Sequence, residues 1–209
     1  MPVKSDYEGN RPYKNLPDYS GPFIPNIRYE DFTKEFLAKQ WNTIGRLFLL
    51  TDGAWVRYVT NKWGQKAALD ADVDVWKKIG EYEHRMMPDS FGIKERDLEA
   101  LCKVMQLDPG WPYPFFQVKY ELNDKKDVAR AVCEDCGVVR YWERINDIAG
   151  LKRICHEVEV GVFGHYVKLF NDNIQVVPIK IPPRKGPDDV PHCIWEFTYK
   201  TPPPKKAKK

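Results

Sequence analysis

The sequence predicts an α+β fold in which a helical N-terminal half packs on a small antiparallel sheet. Between Asp31 and Met105 apolar residues recur every three or four positions, the period of helices with one buried face. From Phe115 onward the period falls towards two, in segments bounded by Gly, Pro, Asn and Asp, the mark of strands and their turns. After the helices the order is β-β-α-β-β, which suits helices segregated to one side of a sheet.

Each element follows from its own residues. Residues 1–28 read as an extended Pro-rich arm, because prolines at 12, 17, 22 and 25 favour an extended path. Its aromatics Tyr13, Tyr19, Phe23 and Tyr29 are expected to be buried on their own subunit or on a neighbour. A homo-oligomer bridged by the arm is one expectation. Phe32, Phe36, Leu37, Trp41, Ile44, Leu47 and Phe48 form the stripe of a first helix. The Thr51-Asp52-Gly53 corner is expected to start a second, capped by Thr51 or Asp52 and broken at Gly64. A third runs through Ala68, Leu69, Val75, Trp76, Ile79, Tyr82 and Met86 and is ended by Pro88 and Gly92. A short fourth, residues 94–105, turns Leu98, Leu101, Cys102 and Met105 inward. Residues 107–114 form a turn-rich corner.

Residues 115–122 and 125–133 then read as a hairpin turning at Asn123-Asp124. Residues 134–170 read as one or two helices, broken near Gly150. Residues 173–183 alternate as a strand that Pro178 assigns to an edge or a bulge. Residues 192–200 are the last strand. The expected organisation is one domain over 29–200, with a helical part at 29–106 and a sheet part at 112–200. The arm (1–28) flanks it on one side, and on the other a basic tail (201–209) is expected to be disordered.

Composition narrows the function classes. Lys plus Arg number 33 against 30 Asp plus Glu, a formal net charge of +3. The tail alone supplies Lys205, Lys206, Lys208 and Lys209, so the rest is slightly negative, unlike a dedicated nucleic-acid binder. No apolar run approaches the roughly 20 residues of a membrane span. The first residues lack the apolar core of a secretory signal. Five cysteines, an odd count, argue against a disulfide framework. The expectation is a cytoplasmic protein with reduced thiols. The sequence has no P-loop, G-x-G-x-x-G, G-x-S-x-G or H-E-x-x-H motif, so nucleotide cofactors and zinc-protease chemistry have no support.

The cysteines carry the chemistry that remains. Cys133-x-x-Cys136 precedes Gly137, the knuckle shape in which two thiolates grip one metal ion. Cys155-His156 and His192-Cys193 supply its partners. Cys133, Cys136, Cys155 and Cys193, with His156 and His192 beside them, suit tetrahedral zinc or an iron–sulfur cluster. Two other readings stay open. The pair can be a redox dithiol, or the cysteines can simply pack, as free cysteines often do. Cys102, on the inner face of its helix, is assigned to packing.

Trp41-x3-Gly45, Asp52-Gly53, Trp55, Val59, Gly64, Ala67, Trp76, Gly80 and Glu83 occur in this order, followed by Cys133, Cys155 and Cys193-x-x-x-Phe197. This pattern resembles the DUF6125 family of anaerobic bacteria and archaea. That family is distantly similar to the L-2-amino-thiazoline-4-carboxylic acid hydrolase family and to 4-vinyl-reductase-type small-ligand domains. The resemblance implies an α+β domain with a ligand pocket between helices and sheet, and no particular activity. Cys133 fits the shared pattern. Cys136, His156, His192, the arm and the Pro-Pro-Arg-Lys segment are additions of this chain.

Asp52, Glu83 and His84 are candidates for general acid/base work if they face a pocket, against the ordinary reading of helix cap and exposed charges. Arg184, in a Pro-stiffened loop, is a candidate for a ligand's carboxylate or phosphate. The leading expectation is a metalloprotein holding zinc or an iron–sulfur cluster, with metal-dependent hydrolase or lyase action on a small molecule if one coordination position stays open. The alternatives are a small-ligand-binding module or an accessory subunit of a larger anaerobic enzyme, with structural cysteines.

Overall fold

The structure is a computed structural model and describes residues 15–200. Helices α1 (Lys34–Trp63), α2 (Gln65–Phe91) and α3 (Leu98–Gln106) come first. Strands β1 (Phe116–Leu122) and β2 (Val128–Cys136) follow. Helix α4 (Gly137–Arg144) leads to α5 (Ile148–Arg153), which runs through a π-helical turn (Ile154–Val158) into α6 (Glu159–Phe170). Strands β3 (Ile174–Lys180) and β4 (Cys193–Tyr199) complete an antiparallel sheet of order β1-β2-β4-β3.

Helix α1 is continuous, which corrects the expectation of two helices. The Thr51 hydroxyl donates back to the Leu47 carbonyl, as a mid-helix threonine does, and Asp52 caps nothing. The apolar stripe passes Thr51-Asp52-Gly53 in phase, and one helical glycine costs only about 1 kcal/mol. Thr33 supplies the N-cap, accepting from the Phe36 N–H at 3.2 Å. Gly64, at φ +88, ends the helix. Pro88 lies inside α2 rather than ending it. In the last turn it removes little of the hydrogen-bond ladder, and Gly92 at φ +68 closes the helix.

The break between α4 and α5 falls at residues 145–147, just before Gly150. Asp147 caps α5 by accepting from the Gly150 N–H at 2.8 Å, and Asn146 takes the left-handed turn at φ +56. Gly150 is small because the Trp142 ring lies against its Cα. Pro178 does sit on an edge strand, β3, next to a register shift between Pro178 and Lys180.

The core lies between the sheet and helices α3 and α6. Leu98, Leu101, Val104, Val167, Trp195 and Phe197 are buried there, and the Phe163 and Trp195 rings stack at 4.6 Å. Helix α1 is an outer helix that buries only Gly45, where the Pro112 ring approaches closely. Within residues 15–33, Leu16 pairs with Phe32, and the Phe32 ring stacks on Phe36 of α1 at 4.1 Å. Phe23 and Tyr29 are 81% and 73% exposed on this chain, so the arm does not bury these two aromatics on its own subunit. Tyr13 and the tail 201–209 lie outside the described residues. Among the described residues no helix is long and apolar enough to cross a membrane.

Candidate functional site

A cavity of about 1110 Å³ opens between α1, α2, α4 and α6. Its wall is largely apolar and aromatic, with Trp76, Trp111, Phe115, Phe116 and Phe163 on it. Six carboxylates also line it: Asp52 from α1, Asp72 and Glu83 from α2, Asp108 from the loop after α3, Asp147 at the N-cap of α5, and Glu159 at the start of α6; the five other than Asp147 are buried in its wall.

Their surroundings hold these five acids towards the neutral form. Burial, then the charges of Asp52 and Glu159, pushes Asp72 up to about 8. Asp52 is raised by burial, an effect that Asp72 and Trp76 beside it oppose. Burial takes Glu83 to about 8, with Asp108 adding to the shift. Burial takes Glu159 to about 7, with a further push from Asp52. Asp108 reaches about 6 through burial, opposed by the Gly110 N–H that it accepts at 2.7 Å.

Of the acid/base candidates read from the sequence, Asp52 and Glu83 face the cavity and His84 does not. Adjacent helical residues point about 100° apart, so Glu83 and His84 cannot share a side. The buried His84 ring packs against Tyr166 at 4.2 Å and Phe170 at 5.6 Å. Neither ring nitrogen has a hydrogen-bond partner, and burial lowers its pKa to about 4. Arg184 is committed elsewhere. Its guanidinium grips Glu143 through two bonds of 2.9 and 2.5 Å, donates to the Pro187 carbonyl, and is not part of the cavity wall.

Behind the wall formed by Phe116, Ile154 and Val158 lies a cluster of thiols. Cys133 and Cys193 face each other across the β2–β4 ladder. The Cys133 thiol interacts with those of Cys136 and Cys193, which together with burial push its pKa far upward. Cys155, on the π-helical turn, is buried beside them and is shifted upward by burial and by Glu159. There the Glu159 N–H bonds to the Ile154 carbonyl, a five-residue step. Such π turns are often found at functional sites. This one joins the thiol cluster to the cavity through Cys155 and Glu159.

The two histidines do other work. His192 braces the Cys133–Cys136 turn: its ring Nδ1 accepts from the Cys136 N–H at 3.0 Å, and its backbone N–H donates to the Cys133 carbonyl at 2.8 Å. An accepting Nδ1 leaves the proton on Nε2. The His156 Nε2 lies 2.7 Å from the Pro182 carbonyl and donates to it. The sulfurs are thus gathered from distant parts of the chain, with the imidazoles outside the group. Among the described residues no three or more His, Cys, Asp or Glu side chains stand ready to hold a metal ion. Cys102 is buried in the other cluster, around α3, and its thiol is raised to about 11 by burial.

Residues 30–199 match the family of unknown function DUF6125. The chain belongs to that family. The matched range contains the cavity carboxylates and all four clustered cysteines. No curated protein matches the chain.

Sequence reasoning passed over Asp72, Asp108, Glu159 and Tyr166 as functional residues. A signal was present for three of them. Leu69, Asp72, Trp76 and Glu83 fall on one helical stripe, as do Glu159, Val162, Phe163 and Tyr166. An acid inside an apolar stripe points at a core or at a cavity. The loop position of Asp108 offered no such sign.

Proposed function

We propose that this domain binds a small organic molecule in the cavity between α1, α2, α4 and α6. The cavity itself carries the reading. A large, mostly apolar hollow with a few convergent polar groups is the usual form of a small-molecule site. The distant resemblance to amino-thiazoline-carboxylate hydrolases and to 4-vinyl-reductase-type domains supports it from the side of sequence. A reaction there would draw on Glu83, protonated near neutrality, as general acid and on the more acidic Asp108 as general base. Hydrolysis or elimination on the bound molecule suits such a pair.

The test is a thermal-shift screen of the full chain against a library of small metabolites, repeated with Val162→Trp, which fills the cavity. Ligands that stabilise the native protein should lose their effect in the variant, while its circular dichroism stays native. Stabilisation that survives Val162→Trp, or its complete absence across the library, would refute the proposal.

A second reading rests on the convergence of Cys133, Cys136 and Cys193 with Cys155 beside them. These four thiols would hold zinc or an iron–sulfur cluster. Four thiolates close the coordination sphere, so the centre would be structural or electron-carrying; an open position for water would need one of them to stay out. Because the Cys133 thiol is held neutral by Cys136, Cys193 and burial, and the Cys155 thiol by burial and Glu159, zinc binding should release protons. Protein purified without oxygen should carry one zinc per chain, or show iron, sulfide and a brown colour. Cys136→Ser should lower both metal content and thermal stability. Metal-free protein after gentle purification, or unchanged occupancy in Cys136→Ser, would rule this out.

A further inference from the structure

Deep in the cavity the charges are of one sign and fall into two groups. Asp72 stands with Asp52 and Glu159, and Glu83 stands with Asp108. Asp72 and Glu83 are roughly 16 Å apart along α2 at the helical rise per residue. Trp76 lies between them on the same helix and also lines the cavity. Burial raises Asp52, Asp72, Glu83, Asp108 and Glu159, neighbouring carboxylates raise Asp72, Glu83 and Glu159 further, and no lysine or arginine lowers any of the five. The cavity's arginines are Arg57 on α1 and Arg140 and Arg144 on α4. All three are exposed, and Arg140 pairs with Asp135.

An independent observation marks the second group. Tyr166 lines the cavity and is 9% exposed, and its buried hydroxyl has no hydrogen-bond partner. The charges acting on it are chiefly those of Asp108 and Glu83. A buried hydroxyl without a partner is costly, so a donor arriving beside it is favoured.

We propose that the cavity takes an organic diamine, an apolar chain with an ammonium group at each end. One ammonium sits among Asp52, Asp72 and Glu159, and the other among Glu83, Asp108 and the Tyr166 hydroxyl. This inference rests on the reading of the cavity as a small-molecule site. An ammonium group brings three donors and no acceptor, which complements carboxylates and an unpaired hydroxyl oxygen. Aromatic walls attract cations and cover the methylenes between them. At the mildly alkaline pH where these acids ionise, a carboxylate or phosphate ligand would meet like charge at both ends.

Calorimetry on the full chain at mildly alkaline pH tests this with α,ω-diaminodecane, decylamine and decanediol. The diamine should bind about tenfold or more tightly than the monoamine. Glu83→Gln should bring the diamine down to the level of the monoamine and leave the diol unaffected. Near neutral pH, diamine binding should release protons, seen as a heat that varies with the ionisation enthalpy of the buffer. Equal binding of diol and diamine would overturn the diamine while leaving a small-molecule cavity in place. Displacement of the diamine by manganese ions, or no diamine binding at all, would also overturn it. In the last case the fate of the cavity reading is still decided separately, by the Val162→Trp screen.

Discussion

Asp72→Asn should stabilise the protein at about pH 9 and leave its stability nearly unchanged at about pH 4. The folded protein holds the Asp72 proton up to about 8, whereas the ordinary value is 3.8. Between those values the native state binds a proton that the unfolded chain has released, so stability falls as pH rises. The favourable state is complete below the unfolded value and is lost as pH passes through the folded one. Asparagine carries no such proton, and its amide can still hydrogen-bond to Asp52. The gain at high pH should be at least about 1.4 kcal/mol, the worth of one pK unit, or roughly 2–4 °C in Tm for a protein of this size. Glu83, Asp108 and Glu159 are shifted in the same direction, so the native protein itself should be less stable at about pH 9 than at about pH 5. Urea unfolding at the two pH values measures both effects. An equal change at both, or a loss at high pH, would show that Asp72 is not held protonated by its surroundings.

Gly137→Ala should destabilise the protein by about 1–3 kcal/mol, the usual cost of overpacking. A Cβ at residue 137 would lie 2.5–2.6 Å from three carbons of the Phe115 ring. The ring has little room to retreat, because the Gly137 N–H donates to the Phe115 carbonyl at 2.8 Å and Phe115 meets Phe116 edge-on at 5.0 Å. The clash falls one residue after Cys136 and on the cavity wall, so it disturbs both features together. In a Phe115→Leu background the same change should cost less than about 0.5 kcal/mol, because the two sites are coupled by contact. Additive costs in the double variant would mean that the ring is not the obstacle.

Much of the domain was legible because local period and global fold agree. The hairpin of β1 and β2, the edge position of Pro178 and the inward face of α3 all follow from spacing alone. The α1 helix shows the limit: Thr51-Asp52-Gly53 has the residues of a helix start, yet the stripe keeps its phase through it, and packing along that stripe outweighs a small local preference. The thiols were legible as a group, since pairing β2 with β4 puts Cys133 opposite Cys193. The roles of His156 and His192 were not, because nothing in spacing says which backbone group a ring nitrogen will meet.

The sequence by itself determined the fold class, the places where helix gives way to strand, and the four cysteines that end up together. Those depend on short-range pattern and on strand register, which the chain writes directly. The tertiary structure alone decided that Asp52, Asp72, Glu83, Asp108 and Glu159 share one cavity. These acids come from four separate parts of the chain. An acid on a helical stripe looks the same in sequence whether it meets a cation, water or another acid. Only the packing of α1, α2 and α6 around an unfilled space makes them neighbours, and that proximity in a water-poor wall gives them their altered chemistry.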